Sequence, residues 1–169
     1  NLFEGVREPG GATGAMDQAL EGGIRRLIAA GEVRGKLGEL TVVHTLGRIA
    51  PERVVVAGLG KAEEFDLDRA RQVAAEVCRL LRRLGVRHAA TIVHGAGVAG
   101  LDAGLAARAL AEGSLLGLYR FRRHQTGRDD DNDLDRLTVV ESDRAKLAAI
   151  ESGVERGRIA RNVRLKRLG

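Results

Sequence analysis

The chain has 169 residues, of which 44% are hydrophobic and 30% charged, a balance typical of one globular domain with its own core. No apolar run reaches the ~20 residues that a membrane-spanning helix needs, and the first residues lack the pattern of a secretory signal. The lone Cys78 cannot form an internal disulfide, which favours a reducing, cytoplasmic location. Its place among the apolar residues of a predicted helix indicates a buried structural thiol.

The formal net charge of +5 is concentrated at the end of the chain. Six of the 28 basic residues lie in a tail without acids, so the other 22 face 23 acidic residues. The tail bases are Arg156, Arg158, Arg161, Arg164, Lys166 and Arg167. Such a segment can bind phosphates by counterion release, or it can be the solvated end of a helix. Aromatic residues, at 2%, are too few for the stacking platforms of single-strand binders.

Strand and helix patterns alternate along the chain. In chain order they predict a strand end at 1–4, a helix at 15–30, an antiparallel strand pair at 39–46 and 53–57, a helix from Asp66 to Gly85, a strand at 86–94, a helix at 101–120, a strand at 137–141 and a final helix capped by Ser142 or Asp143. The polar, acidic stretch 126–133 has no apolar anchor and predicts a mobile surface loop. This order predicts an α/β fold, a three-layer sandwich with helices on both faces of a mixed, mostly parallel sheet.

Two glycine-rich turns follow predicted strands. Gly95, Gly97 and Gly100 match the dinucleotide pattern G-x-G-x-x-G, but that fingerprint requires an acidic residue about 20 positions later. The next predicted strand ends at Glu141, about twice as far away. The alternative is a tight turn in which small residues pack closely against the sheet.

The second turn, Gly58-Leu-Gly-Lys61, is not a P-loop. Only one residue separates its glycines, where a P-loop has four, and Ala62 follows the lysine in place of Ser or Thr. Free backbone N–H groups at this strand end could still bind an anion by donating hydrogen bonds to it.

No catalytic, cofactor-binding or metal-binding residue is predicted in the chain. The four histidines, His44, His88, His94 and His124, lack metal-ligand spacing. His88 and His94 could share one side of a strand, but edge or solvent-facing positions explain them with fewer assumptions. The hydroxyls of Ser114, Ser142 and Ser152 have no general base at a connected spacing.

Several segments resemble, in order and spacing, the amino-terminal domain of the leucyl (cytosol) aminopeptidases. The resemblance is carried by Asn1-Leu-Phe-Glu-Gly5, by residues 15–38, by Arg53-Val-Val-Val-Ala-Gly-Leu-Gly-Lys61, by the helix from Asp66 to Gly85 and by Glu112-Gly-Ser-Leu-Leu-Gly-Leu-Tyr-Arg-Phe121. The end of the chain, from Ala160 to Gly169, departs from the family's continuation into its catalytic half.

The resemblance implies a macro-domain-like fold and a non-catalytic role. In the family, two divalent ions, zinc or manganese, and the catalytic residues belong to a carboxy-terminal domain, so no catalytic role is carried onto this chain. The expected partners are that domain and further copies in a hexamer, without a membrane. The expected organisation is a domain at 1–155 and a basic helical segment at 156–169.

Two other functions stay open at this point. A macro-like fold could bind an ADP-ribose-type ligand near the turns at 58–60 or 95–100. Alternatively, the basic tail could bind nucleic acid, a role that some bacterial members of the resembled family have.

Overall fold

The computed structural model describes residues 1–95, 100–119 and 134–159, the last without its side chain. The strands are β1 (Leu2–Phe3), β2 (Leu40–His44), β3 (Arg53–Gly60), β4 (His88–Thr91) and β5 (Arg136–Val139). The helices are α1 (Gly11–Ala19), α2 (Gly23–Ala29), α3 (Leu67–Arg83), α4 (Ala103–Leu118) and α5 (Arg144–Ile159). A short 3-10 turn, Ala62–Glu64, links β3 to α3.

The predicted α/β class with a mixed, mostly parallel sheet is confirmed. Within the described ranges the strands form two hydrogen-bonded groups, β1-β3-β2 and β4-β5. β1 pairs with β3 and β4 with β5 in parallel, whereas β2 and β3 form the predicted antiparallel pair. A parallel β1 and an antiparallel β2 therefore flank β3 on its two sides.

Helices cover β3 on both faces, as the sandwich prediction requires. On one face, Val56 belongs to a cluster with Leu20 and Ile24, from the α1–α2 region. On the other, Ala57 and Leu59 pack with Ala70 and Val73 of α3, among others. The valine run of β3 is thus a central strand whose alternate side chains enter two different cores.

The predicted single helix at 15–30 is wrong: the segment forms two helices, α1 and α2. The chain turns between them at Glu21 (φ 53°) and Gly22 (φ 78°), both in the left-handed region. Glycine adopts this conformation without steric cost, so Gly22 makes the break inexpensive. The helical spacing of the apolar residues continues across the break, which is why the pattern alone predicts one helix.

The carboxylate of Asp17 holds the two short helices together. Its Oδ1 accepts the backbone N–H of Arg25 at 2.8 Å, and its Oδ2 accepts guanidinium N–H groups at 2.9 and 3.3 Å. Burial alone would raise the pKa of this 2%-exposed carboxyl, but the hydrogen bonds and charge of Arg25 lower it below its usual value. Asp17 is therefore a charged structural link that also caps the first turn of α2.

The helix predicted to begin after Asp66 is confirmed. The Asp66 Oδ1 accepts the backbone N–H of Arg69 at 2.8 Å, and the chain leaves the helix at Gly85 (φ 66°). Cys78 lies on the buried face of α3, as predicted, and burial raises the pKa of its thiol. It is a core residue in its protonated form.

Helix α4 lies between α3 and α5 at backbone contact distance. A Cβ on Gly113 or Gly117 would collide with the carbonyl oxygens of Arg71 and Ala75 in α3. In α5, a Cβ on Gly153 would collide with the carbonyl of Gly104, also in α4. At these glycine positions the helices approach too closely to accommodate a side chain.

Strand β4 is shorter than predicted, and helix α5 continues past the predicted domain boundary. The strand predicted at 86–94 is confined to β4, and the final helix begins after Asp143, whose Oδ1 accepts the N–H of Ala145 at 3.0 Å. Helix α5 continues through position 155, so the proposed boundary there does not coincide with the end of an element. The division into 1–155 and 156–169 stays a prediction.

Replacing Gly113 by Ala should destabilise the fold by about 2 kcal/mol, because its methyl group would force α3 and α4 apart. The unfolding free energy is measured by urea titration followed by circular dichroism. Gly23→Ala is the matched control: its Cβ would meet only the Leu20 Cβ at 3.5 Å, so we expect no loss of stability. Equal losses for the two variants would contradict a seam limited by backbone contact.

Replacing Asp17 by Asn should lower the unfolding free energy at pH 7 by about 1–3 kcal/mol, because the charged acceptor of the Arg25 bonds is lost. The folded-state pKa of Asp17 is depressed, so its contribution is present above the unfolded pKa of about 4 and is lost as the pH falls through the folded value. The difference between wild type and variant should therefore shrink in acid. The exposed Glu8, 3.5 Å from Arg25, supplies the control Glu8→Gln, for which we expect little change at either pH.

Candidate functional site

Side chains that could bind a metal ion are the first candidates for a functional site. Across the described ranges 1–95, 100–119 and 134–159, no three His, Cys, Asp or Glu side chains are grouped so as to hold a metal ion. His44 and His88 are exposed on separate strands, and His124 lies outside the described residues. The described residues thus offer surfaces and turns, not a set of convergent ligands, as candidates for function.

The turn predicted at Gly58–Gly60 is instead the end of strand β3, and the chain itself fills the space beside it. Gly58 and Gly60 donate their N–H groups to the carbonyls of Glu39 and Gly35, each at 2.8 Å. A Cβ on Gly58 would collide with the carbonyl of Lys36. These glycines admit the 35–39 segment against the end of β3, so their N–H groups are not available to an anion.

The glycine-rich turn at 95–100 also begins with a packing contact, at Gly95. Gly95 has φ 73°, and a Cβ there would collide with the Phe65 ring. That ring in turn packs edge-on against Phe3, with 5.4 Å between ring centroids. Residues 96–99 lie outside the described part of the chain, so the dinucleotide pattern at 95–100 stays untested.

His94 is buried, which sequence reasoning missed. The solvent-facing interpretation is wrong for this residue: its side chain is only 2% exposed, and its Nδ1 lies 2.9 Å from the Asn1 Oδ1. Burial lowers the pKa of His94 to about 3, so the imidazole is neutral in the folded protein at physiological pH. The signal available in the sequence was its position between Val93 and the turn glycine Gly95, where a strand enters the core.

The predicted basic tail is only partly described. Arg156 is exposed on the last turns of α5, and the Nη1 of Arg158 donates to the Glu155 Oε1 at 2.7 Å. Residues 160–169 and the acidic stretch 126–133 lie outside the described residues. The described part of the tail is therefore a helix end carrying a local ion pair.

One open, mostly apolar groove lies between α4, β5 and α5. It is lined by Leu110, Ala111, Ser114, Leu115, Leu118, Leu134, Asp135, Leu137, Val139 and Val154. Ser114 is buried in this wall, at 6% exposure. The groove supplies a mostly apolar contact surface, in which the polar lining groups are the Ser114 hydroxyl and the Asp135 carboxylate, and Asp135 accepts a hydrogen bond from Arg87 at 2.7 Å.

Comparison with known proteins supplies the decisive observation. The sequence model described as the cytosol aminopeptidase family, N-terminal domain, matches residues 1–128. The chain belongs to the cytosol aminopeptidase family. It corresponds to the family's amino-terminal domain, as the resemblance predicted.

Curated relatives agree with this assignment. The chain is 32% identical over 158 residues to a probable cytosol aminopeptidase of Alkaliphilus metalliredigens, covering 92% of this chain and 31% of the relative. Over 111 residues it is 40% identical to a probable cytosol aminopeptidase of Geobacter sulfurreducens, covering 66% of this chain and 22% of the relative. The chain thus spans less than a third of the length of these family members.

Two solved structures share the fold. A mutant of tomato leucine aminopeptidase superposes with a TM-score of 0.65 at 17% identity, covering 85% of this chain and 27% of that one. The bottromycin maturation enzyme BotP, solved in complex with Mn, gives a TM-score of 0.59 at 23% identity, covering 90% of this chain and 27% of that one.

In the described part of this chain, none of the helices has both the length and the apolar composition needed to cross a membrane.

Replacing His94 by Gln should flatten the pH dependence of stability. The folded pKa is about 3, against an unfolded value near 6.5, so stability is fully present above pH 6.5 and is lost as the pH falls towards 3. Between pH 7.5 and pH 5 the wild type should lose about 2 kcal/mol more than His94→Gln, the linkage of one proton over 1.5 pH units. Urea midpoints at the two pH values give the comparison, with the exposed His88→Gln as control. Identical pH slopes for wild type and His94→Gln would contradict a buried neutral imidazole.

Proposed function

We propose that this chain is the non-catalytic amino-terminal part of a leucyl aminopeptidase, where it positions the catalytic domain and takes part in assembly. The observation that carries the proposal is the match of the family's N-terminal domain to residues 1–128, together with relatives about three times longer than the chain. The names of those relatives, cytosol aminopeptidases, support a cytoplasmic enzyme that removes amino-terminal residues from peptides.

Catalysis is assigned to the carboxy-terminal domain. Two divalent ions there, zinc or manganese, would activate water and polarise the first peptide bond. BotP, a fold relative solved with Mn, is in keeping with such a metal. No ligand or catalytic residue of that centre is carried onto a position of this chain.

A positioning domain must be stiff and must offer a surface to its partner. Stiffness comes from the backbone contact of α4 with α3 and α5. The groove between α4, β5 and α5 is a surface of suitable chemistry for the partner domain, since it is apolar and includes α5, the last described element. Further copies of the same protein, which form a hexamer in the resembled family, are the other partners proposed.

The two alternatives have less support. For an ADP-ribose-type ligand, the N–H groups of Gly58 and Gly60 are already bonded to backbone carbonyls. For nucleic acid, the described bases Arg156 and Arg158 lie on a helix end, and Arg158 is engaged by Glu155. A ligand-induced rise in melting temperature, or binding that falls steeply with salt and requires residues 156–169, would revive one or the other.

The proposal predicts that the endogenous protein is larger than 18.1 kDa, the mass of this chain. An antibody against the chain, followed by intact-mass measurement of the captured protein, tests this. We expect the captured protein to release leucine from a leucyl peptide, to lose that activity with a chelator and to regain it with Mn²⁺ or Zn²⁺.

The 169-residue chain, given the same metals, is the control and should release none. A captured mass of 18.1 kDa would overturn the proposal, as would peptidase activity of the chain alone.

A further inference from the structure

We propose that the outer edge of β2, with the hairpin tip beside it, pairs with the same edge of a second copy of this chain. This inference rests on the assembly role proposed above and names the surface that would carry it. Two independent observations lead to it: an edge strand without the usual protection against pairing, and a strained, exposed leucine at the end of that strand.

The register of the β2–β3 ladder fixes which backbone groups of β2 face outward. Glu39 accepts the N–H of Gly58, and Thr45 donates to the carbonyl of Glu52, so the odd-numbered residues bond to β3. In an antiparallel ladder the intervening residues direct their N–H and C=O groups the other way. Because β2 is the last strand of the order β1-β3-β2, Leu40, Val42 and His44 present these groups at the edge of the described sheet.

Free edges of this kind are usually blocked. Natural proteins place lysine, proline, a bulge or an inward-pointing charge on an edge strand to prevent pairing with another chain. The β2 sequence is Leu-Thr-Val-Val-His and its register runs from Leu40 to His44 without a shift. It therefore has none of these devices and is a suitable template for another strand.

The hairpin tip adds a conformational anomaly. Leu46 has φ 53° and Gly47 φ 79°, and Arg48 donates its N–H to the carbonyl of Thr45 at 3.1 Å. A turn with two left-handed residues strongly prefers Asn, Asp or Gly at its first central position, because a larger side chain is strained there. Leu46 is nevertheless 85% exposed, so its side chain gains almost no burial within the chain.

The tip is braced by its neighbours, so the strain is held in place. Thr45 is 1% exposed and donates its hydroxyl to the Pro51 carbonyl at 2.7 Å, while Ile49 packs against the α1–α2 core cluster. Strained residues that persist in a well-determined setting are concentrated at functional sites. An exposed apolar side chain held in this way can be removed from water only by contact with another surface.

A twofold axis satisfies both observations at once. The outward-facing residues Leu40, Val42 and His44 are symmetric about Val42, so antiparallel pairing of two β2 strands places Val42 opposite Val42 of the partner subunit. Leu46 and Gly38 lie in turns just beyond the two ends of β2, so Leu46 extends past the paired strands towards the start of β2 in the partner subunit. Gly38 has open space around it, since a Cβ there would meet no atom within 4 Å.

The experiment is sedimentation equilibrium of the 169-residue chain and of three variants. Val42→Lys places like charges on the axis and should weaken self-association at least tenfold. Leu46→Asn should also weaken it about tenfold, yet raise the melting temperature under conditions where the protein is monomeric, because asparagine tolerates the left-handed conformation. Thr138→Lys, on the other outer strand β5, is the matched control and should leave association unchanged.

A wild-type chain that stays monomeric up to millimolar concentration would overturn the inference. So would association that Val42→Lys leaves unchanged, or that Thr138→Lys weakens as much. Leu46→Asn guards against misfolding as an explanation, since it is expected to stabilise the monomer while reducing association. Leucyl-peptide hydrolysis by the endogenous protein is measured separately. Absence of this activity would contradict the proposed function. If the activity is present but Val42→Lys and Leu46→Asn leave self-association unchanged, only the edge pairing is contradicted.

Discussion

The rest of the structure depends on how closely α4 approaches its two neighbouring helices. Gly113 and Gly117 bring it against α3, and Gly153 of α5 brings that helix against Gly104. Residues without side chains allow backbone contact, and the close approach gains dispersion energy. Because α3 also packs on β3, these contacts connect the last helix of the described chain to the central sheet.

Sequence reasoning reached the fold class, the strand pair and the helix after Asp66, because each depends on local periodicity and a recognisable cap. It failed where a long-range contact decided the outcome. The break before α2 is fixed by Asp17 reaching Arg25, and His94, in the segment after β4, is buried in contact with Asn1 at the start of the chain. Likewise, the sequence pattern predicts residue 46 to be the end of the strand at 39–46, but the residue lies in a turn.

Glycine spacing alone is an ambiguous guide to function. The segment 58–60, which is the end of β3, and the turn at 95–100 after β4 both have glycine patterns that resemble those of phosphate-binding turns. At Gly58 and Gly95, however, the space that a side chain would take is occupied by the Lys36 carbonyl and the Phe65 ring. A glycine that makes room for the protein's own backbone and one that makes room for a phosphate cannot be told apart in a sequence, and only the three-dimensional structure distinguishes them.

The glycines of α4 and α5 have a thermodynamic consequence for the whole chain. Within a helix each lowers intrinsic helical stability by about 0.5–1 kcal/mol relative to alanine, so α5, with Gly153 and Gly157, is a weak helix on its own. Its order depends on docking against α4, where Gly157 would meet the Arg108 carbonyl at 2.8 Å if it carried a Cβ. Secondary and tertiary structure at this end therefore form together, and local fraying of α5 is coupled to loss of the seam.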